Sequence, residues 1–107
     1  MIDFEPSFQQ CNFRKVALLA GFLQLTFIPG STYTGRSRAL IEGLRVNATL
    51  RGQGTGQALV NEAIQLAREA GCCMVQLTSN KQRTDALRFY ESLGFVHSHE
   101  GMKLHLD

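Results

Sequence analysis

The sequence predicts an α/β fold of the α+β kind, a mixed sheet with helices, forming a single domain over residues 1–107. Three observations carry this expectation. Short apolar runs with β-preferring residues alternate with two stretches of helical periodicity, and each helical stretch ends at a glycine. The order of these signals is β-β-α-β-α-β, and strand–helix–strand units imply a parallel pair with a right-handed crossover. The length of 107 residues is that of one small domain, and 44% hydrophobic content supplies a core.

Residues 1–12 give mixed signals and define no element. Phe13 to Phe27 is rich in apolar residues and closes at Pro29-Gly30, a strong breaker. Within it, Phe22-Leu23-Gln24-Leu25-Thr26-Phe27 reads as the first strand from its aromatic and β-preferring content. Gly30 to Arg38 is a polar loop. Ala39 to Val46 is the second strand, expected antiparallel to the first. Asn47-Ala48-Thr49-Leu50 then leads into a glycine turn, Arg51-Gly52-Gln53-Gly54-Thr55-Gly56.

From Gln57 to Ala70 the apolar residues Leu59, Ala63, Leu66, Ala67 and Ala70 share one helical stripe, and Gly71 stands in the usual terminating position. Cys72 to Thr78 reads as a buried strand. Thr84 is the expected N-cap of a second helix with the stripe Ala86, Phe89, Tyr90 and Leu93, stopped by Gly94. Phe95 to Leu106 is expected to give one or two strands, broken near Glu100-Gly101.

Composition narrows the function classes. A net charge of +2 argues against a nucleic-acid groove, which needs a concentrated basic face. No apolar run approaches the length that spans a bilayer. Met1 to Gln10 holds Asp3 and Glu5 and no basic residue, so neither a signal nor a transit peptide is expected. Three cysteines, two of them the adjacent Cys72 and Cys73, make no disulfide framework; reduced, hydrophobe-like thiols in the cytoplasm are the expectation. His97 and His99 have strand spacing and His105 lies nearby, but no cysteine or carboxylate completes a ligand set, so no metal is expected.

The chemistry concentrates at the glycine turn. Strand, glycine turn, helix is a layout that points backbone N–H groups and a helix N-terminus at one spot, where an anion, above all a phosphate, is favoured. Two familiar phosphate motifs do not match. A P-loop needs Lys followed by Ser or Thr after its last glycine, whereas Gln57-Ala58 follow Gly56. The dinucleotide fingerprint needs a glycine at its sixth position; counted from Gly52 that position is Gln57, and from Gly54 it is Leu59.

Arg51-x-x-Gly54-x-Gly56 between a strand and a helix resembles the acyl-coenzyme A loop of the GCN5-related N-acetyltransferase (GNAT) superfamily. Leu87-Arg88-Phe89-Tyr90-Glu91-Ser92-Leu93-Gly94-Phe95 resembles its second hallmark, Tyr-Glu-x-Leu-Gly-Phe. The two stand in the family's order and separation, and the family-like region covers residues 22–106, with 1–21 atypical. The resemblance implies a GNAT-like acyl-CoA N-acyltransferase fold, N-terminally shortened, and transfer of an acetyl group from acetyl-CoA to a primary amine by direct attack, without a metal.

Residue by residue, the resemblance implies that the donor's pantetheine arm pairs with the backbone of Leu44, Arg45 and Val46. Its pyrophosphate would rest on the amides of Arg51, Gly52, Gln53, Gly54, Thr55 and Gly56, where glycines allow close approach. Tyr90 matches the tyrosine near the thioester sulfur and would protonate the departing thiolate; it also fits the core stripe of its helix. Glu42, with period two, shares a face with Leu44 and Val46. A carboxylate among Leu40-Ile41 and Gly43-Leu44 faces a cleft or finds a partner, because burying it unpaired is costly. The resemblance implies that it helps deprotonate the amine; a salt bridge to Arg36, Arg38 or Arg45 is the alternative. The asparagine that many members carry three residues before the alanine opening the second helix is Arg83 here, with Asn80 out of register.

A typical member has a strand and two helices ahead of the matching region, for which the residues before Phe22 are too few. The acceptor half is therefore expected to be incomplete and an exposed sheet edge to be covered in a homodimer, for which exchange of N-terminal or C-terminal strands is one route. Besides an acetyltransferase for a small-molecule or peptide amine, two other functions are consistent with these features. One is a non-catalytic coenzyme A or acetyl-CoA binding module. The other is a nucleic-acid binder using Arg36, Arg38, Arg45 and Arg51, which the low net charge disfavours.

Overall fold

Alternating apolar residues lay four strands into one mixed sheet in the computed structural model, which describes residues 12–18, 21–30, 36–47, 54–80 and 82–106. Strands β1 (Asn12–Leu18), β2 (Gly21–Ile28), β3 (Arg38–Val46) and β4 (Met74–Leu77) lie side by side in that order, with helices α1 (Thr55–Glu69) and α2 (Thr84–Ser92). The β1–β2 and β2–β3 pairs are antiparallel. The β3–β4 pair is parallel, with α1 as its crossover, as the strand–helix–strand pattern requires. The chain divides into two compact units, residues 1–77 and 78–107.

In the first unit, α1 covers one face of the sheet. Val16, Leu23, Leu25, Ala39 and Ile41 from the strands meet Leu59, Val60, Ala63 and Ala67 from the helix, and all nine are buried. The cross-strand pairs Val16↔Leu23 and Leu25↔Ile41 keep these side chains on that face. Full burial of a residue such as Leu59 contributes about 1.5–3 kcal/mol. The helix stripe is wider than its sequence suggests. Val60 joins it, forming a row with Ala63 and Ala67, while Ala70, expected inside, is exposed beyond the last helical turn.

Two element assignments differ from expectation. β1 forms where the sequence shows only apolar enrichment. It is an edge strand in which Val16 is buried while Arg14, Lys15 and Ala17 are exposed, so it lacks a clear alternation. Its exposed cations lie over β2 aromatics: Arg14 Cζ is 5.8 Å from the Phe27 ring centre and Lys15 Nζ is 4.8 Å from that of Phe22. Conversely, Phe95–Leu106 forms no strand. Its alternation marks which side would be apolar, but a strand exists only where a neighbour takes its backbone bonds. The described order is therefore β-β-β-α-β-α.

In the second unit, the α2 stripe of Ala86, Phe89, Tyr90 and Leu93 is half-buried. Thr84 is not the N-cap; it is the first helical residue, and Arg83 occupies the cap. The preceding turn is closed by Asn80, whose Oδ1 accepts from the Gln82 amide at 2.9 Å and whose carbonyl accepts from Arg83 at 2.9 Å. Both helices end as expected. Gly71 and Gly94 carry positive φ, and bonds Cys72 N–H to Ala67 O and Phe95 N–H to Tyr90 O close the two Schellman motifs. Cys72 and Cys73 are free, half-buried thiols in the turn before β4, and burial pushes the Cys72 thiol up.

Candidate active site

The site begins with an irregularity in β3. Gln24 pairs with Glu42 and Phe22 with Arg45, so Leu23 opposes both Gly43 and Leu44. Gly43 has φ 66°, the left-handed conformation of a G1 bulge, which a glycine in a strand signals. The extra residue resets the alternation. Glu42 therefore does not share a face with Leu44 and Val46, as strict period two implied. Glu42 and Arg45 stay on the face of Gln24 and Phe22, whereas Leu44 turns with Leu23 toward α1.

Glu42 is exposed, and its partner is not an arginine. Gln24 Nε2 donates to Glu42 Oε1 at 3.3 Å and lies 3.5 Å from Thr26 Oγ1. Among the described residues no ion pair joins Glu42 to Arg36, Arg38 or Arg45. Arg36 donates instead to the Gly71 carbonyl at 3.3 Å. A carboxylate steadied by a neutral donor on an open sheet face keeps lone pairs available to a proton.

Beyond Ile41, β3 runs on past the end of β4. Pairing with β4 ends at Ile41↔Leu77, while β3 continues to Val46 alongside β2. The backbone of Leu44, Arg45 and Val46 thus has no β4 neighbour. The start of α1 comes to the same end of the sheet. A methyl group on Gly21 would lie 2.9 Å from Leu59 Cδ1, 3.0 Å from the Arg45 carbonyl oxygen and 3.2 Å from Thr55 Cγ2. Only a missing Cβ lets β2, β3 and the first turn of α1 meet so closely.

Gly54 is the N-cap of α1, with φ 84°, no side-chain cap and no acidic residue in the first turn. The first intrahelical bond is Ala58 N–H to Gly54 O at 2.9 Å, so the amides of Thr55, Gly56 and Gln57 lie ahead of the ladder at the positive end of the helix dipole. Arg51, Gly52 and Gln53 lie outside the described residues.

Tyr90 belongs to the second unit. Its ring packs edge-on against Phe89 (5.1 Å between ring centres) and Phe95 (5.9 Å). Burial pushes its phenol up from the usual value, and the Arg83 charge partly opposes this, so the hydroxyl stays protonated at neutral pH. Arg83 sits at the α2 N-cap with its guanidinium 3.9 Å from the Asp85 carboxylate, an exposed pair of little energetic weight. His97, His99 and His105 are exposed, and no group of three metal-ligating side chains forms among the described residues.

The structure brings Arg45, Thr55 and Gly21 to one place, and Glu42 to the sheet face next to it. Sequence reasoning missed Gly21, Gln24 and the bulge. The bulge alone left a signal, a glycine inside a strand pattern. Gln24 and Gly21 act through cross-strand neighbours that no local pattern reveals.

The profile of the "Acetyltransferase (GNAT) family" matches residues 8–95. A glucosamine 6-phosphate N-acetyltransferase of Trypanosoma brucei brucei is 35% identical over 88 residues, 82% of this chain and 58% of the relative. An aminoalkylphosphonate N-acetyltransferase of Salmonella typhimurium LT2 is 41% identical over 59 residues, 55% of this chain and 38% of the relative. A solved structure from Bacillus halodurans C-125, named a transcriptional regulator, is 57% identical with a TM-score of 0.79, covering 81% of this chain and 58% of that one. The chain thus spans little more than half the length of the first of these curated relatives. With the family's profile matching residues 8–95, most of the sequence, this chain belongs to the GNAT acetyltransferase family.

Proposed function

We propose that this chain transfers an acetyl group from acetyl-CoA to a primary amine. The observation that carries the reading is the meeting of an uncapped α1 start with the stretch of β3 that β4 leaves unpaired. A diphosphate suits the first-turn amides of Thr55 and Gly56, which lie ahead of the first intrahelical bond, and Arg51, Gly52 and Gln53 precede them in the sequence as further candidates. An amide-bearing arm fits the open edge at Leu44, Arg45 and Val46, as an added strand would.

In this reading the amine loses a proton to Glu42, directly or through water, and its nitrogen bonds the acetyl carbon. The carbon–sulfur bond breaks, and the Tyr90 hydroxyl gives its proton to the leaving thiolate. A raised phenol pKa suits that task, because the donor must hold its proton at working pH. Relatives named for glucosamine 6-phosphate and aminoalkylphosphonates support a small-molecule amine over a peptide as acceptor.

The low charge and free thiols favour a cytoplasmic protein without a nucleic-acid or membrane partner. A homodimer is supported by the alternating Met102, Leu104 and Leu106, which are 95%, 84% and 91% exposed, a pattern suited to strand exchange. Sedimentation at micromolar concentration checks it, and a stable monomer removes it. The function itself is tested by calorimetric titration with acetyl-CoA followed by thiol release over a panel of amines. Absence of coenzyme binding overturns the reading. Binding without transfer to any amine leaves the alternative of a non-catalytic coenzyme-binding module.

A further inference from the structure

A cleft of about 510 Å³ lies at the end of the sheet where Lys15, Ala17, Phe22 and Arg45, which face away from α1, meet Gly21, Val46 and Asn47. Two cross-strand rows stand on the face away from α1, the first lining the cleft and the second beside it. Ala17, Phe22 and Arg45 are register partners across β1, β2 and β3, and Lys15, Gln24 and Glu42 form the next row. Partners in register share a face, so both cations, the aromatic ring and the carboxylate look the same way.

Phe22 lies between the two cations and is 41% exposed, an apolar floor left open. Lys15 Nζ hovers 4.8 Å over its ring, and Arg45 is its neighbour on β3. Among the described residues neither cation has an acidic partner. The only carboxylate on these two rows, Glu42, is already held by Gln24. The face is therefore dipolar, with two positive groups on either side of an apolar patch and a proton acceptor one row away, about 6–7 Å along the strands.

We infer that this cleft selects a small primary amine bearing a phosphate or phosphonate group, the dianion held between Lys15 and Arg45 and the amine directed to Glu42. Two cations match a dianion better than the single charge of a carboxylate, and a guanidinium and an ammonium together supply donors to three oxygens. The cleft volume suits a small molecule. A short carbon spacer between phosphorus and nitrogen spans the two rows. The inference rests on Glu42 as the base of the proposed reaction, but its test reads binding, which is independent of turnover.

The probes are 2-aminoethylphosphonate, β-alanine and ethanolamine, titrated calorimetrically into the full chain at low ionic strength, with thiol release from acetyl-CoA measured in parallel. The phosphonate is expected to bind at least about tenfold more tightly than ethanolamine, the effect of one or two charge-assisted contacts. β-Alanine is expected between them. Lys15→Gln, at an exposed position, is expected to weaken the phosphonate about tenfold and leave ethanolamine unchanged. Equal binding of phosphonate and ethanolamine overturns the inference, as does a Lys15→Gln variant that binds the phosphonate like the original chain. β-Alanine binding as tightly as the phosphonate overturns the assignment to phosphorus. Charge-selective binding without thiol release overturns the proposed transfer and leaves the anion-selecting cleft standing; thiol release without charge selectivity does the reverse.

Discussion

Gly21→Ala is the sharpest test of how the site is assembled. The added methyl group would stand 2.9 Å from Leu59 Cδ1, 3.0 Å from the Arg45 carbonyl oxygen and 3.2 Å from Thr55 Cγ2. Leu59 is fully buried, so its methyl has no free space to retreat into, and the carbonyl belongs to the β3 backbone. Overpacking of this kind costs about 1–3 kcal/mol. Against it stands the stiffer unfolded chain of alanine, worth about 0.4–1 kcal/mol. The clash wins, leaving a net loss of about 1–2 kcal/mol, or a fall in Tm of about 5–15 °C for a domain of this size. Urea unfolding should show a lower midpoint with an unchanged slope. Because the displaced atoms belong to the start of α1 and to Arg45, acetyl-CoA affinity should fall in the same variant. A Gly21→Ala protein that unfolds at the original midpoint and binds acetyl-CoA equally well would refute the claim that close packing at Gly21 joins the helix start to β3.

Three further outcomes follow from the same geometry. Gly43→Ala meets no atom within 4 Å, so its cost comes from the backbone alone: holding alanine at φ 66° should destabilise by about 1–2 kcal/mol, read by urea unfolding. Gln24→Leu removes the donor that steadies Glu42, and kcat should fall about 2–10-fold with no change in acetyl-CoA affinity, measured by thiol release and calorimetry. Tyr90→Phe should lower kcat by about 10² while coenzyme binding persists; unchanged turnover would remove Tyr90 from the reaction. The same variant bears on alkaline stability. Burial raises the Tyr90 pKa in the folded chain, so its stabilising contribution is complete below the usual tyrosine value near 10 and is lost as pH rises through the folded value. Tyr90→Phe should flatten that alkaline fall in a pH series of unfolding midpoints.

Local chemistry was enough to determine most of the elements, and two short motifs, Arg51–Gly56 and Leu87–Phe95, carried the resemblance to the family. Runs such as Phe22–Phe27 and Ala39–Val46 bury alternate residues, and the α1 stripe has the helical period, so burial demands leave their mark on neighbouring positions. Gly71 and Gly94 announce helix ends because left-handed backbone is cheap only for glycine. Tertiary structure decided what depends on partners distant in the chain. β1 is a strand because β2 pairs with it, and Phe95–Leu106 is not one because alternation cannot supply a neighbour. Glu42 binds Gln24 rather than an arginine, and turns away from Leu44, because the register of β2 against β3 slips by one residue at Gly43. The clustering of Lys15, Phe22 and Arg45 rests on the same register across three strands. Residue type sets what a side chain can do, and cross-strand register sets which side chains do it together, through contacts that no local window contains.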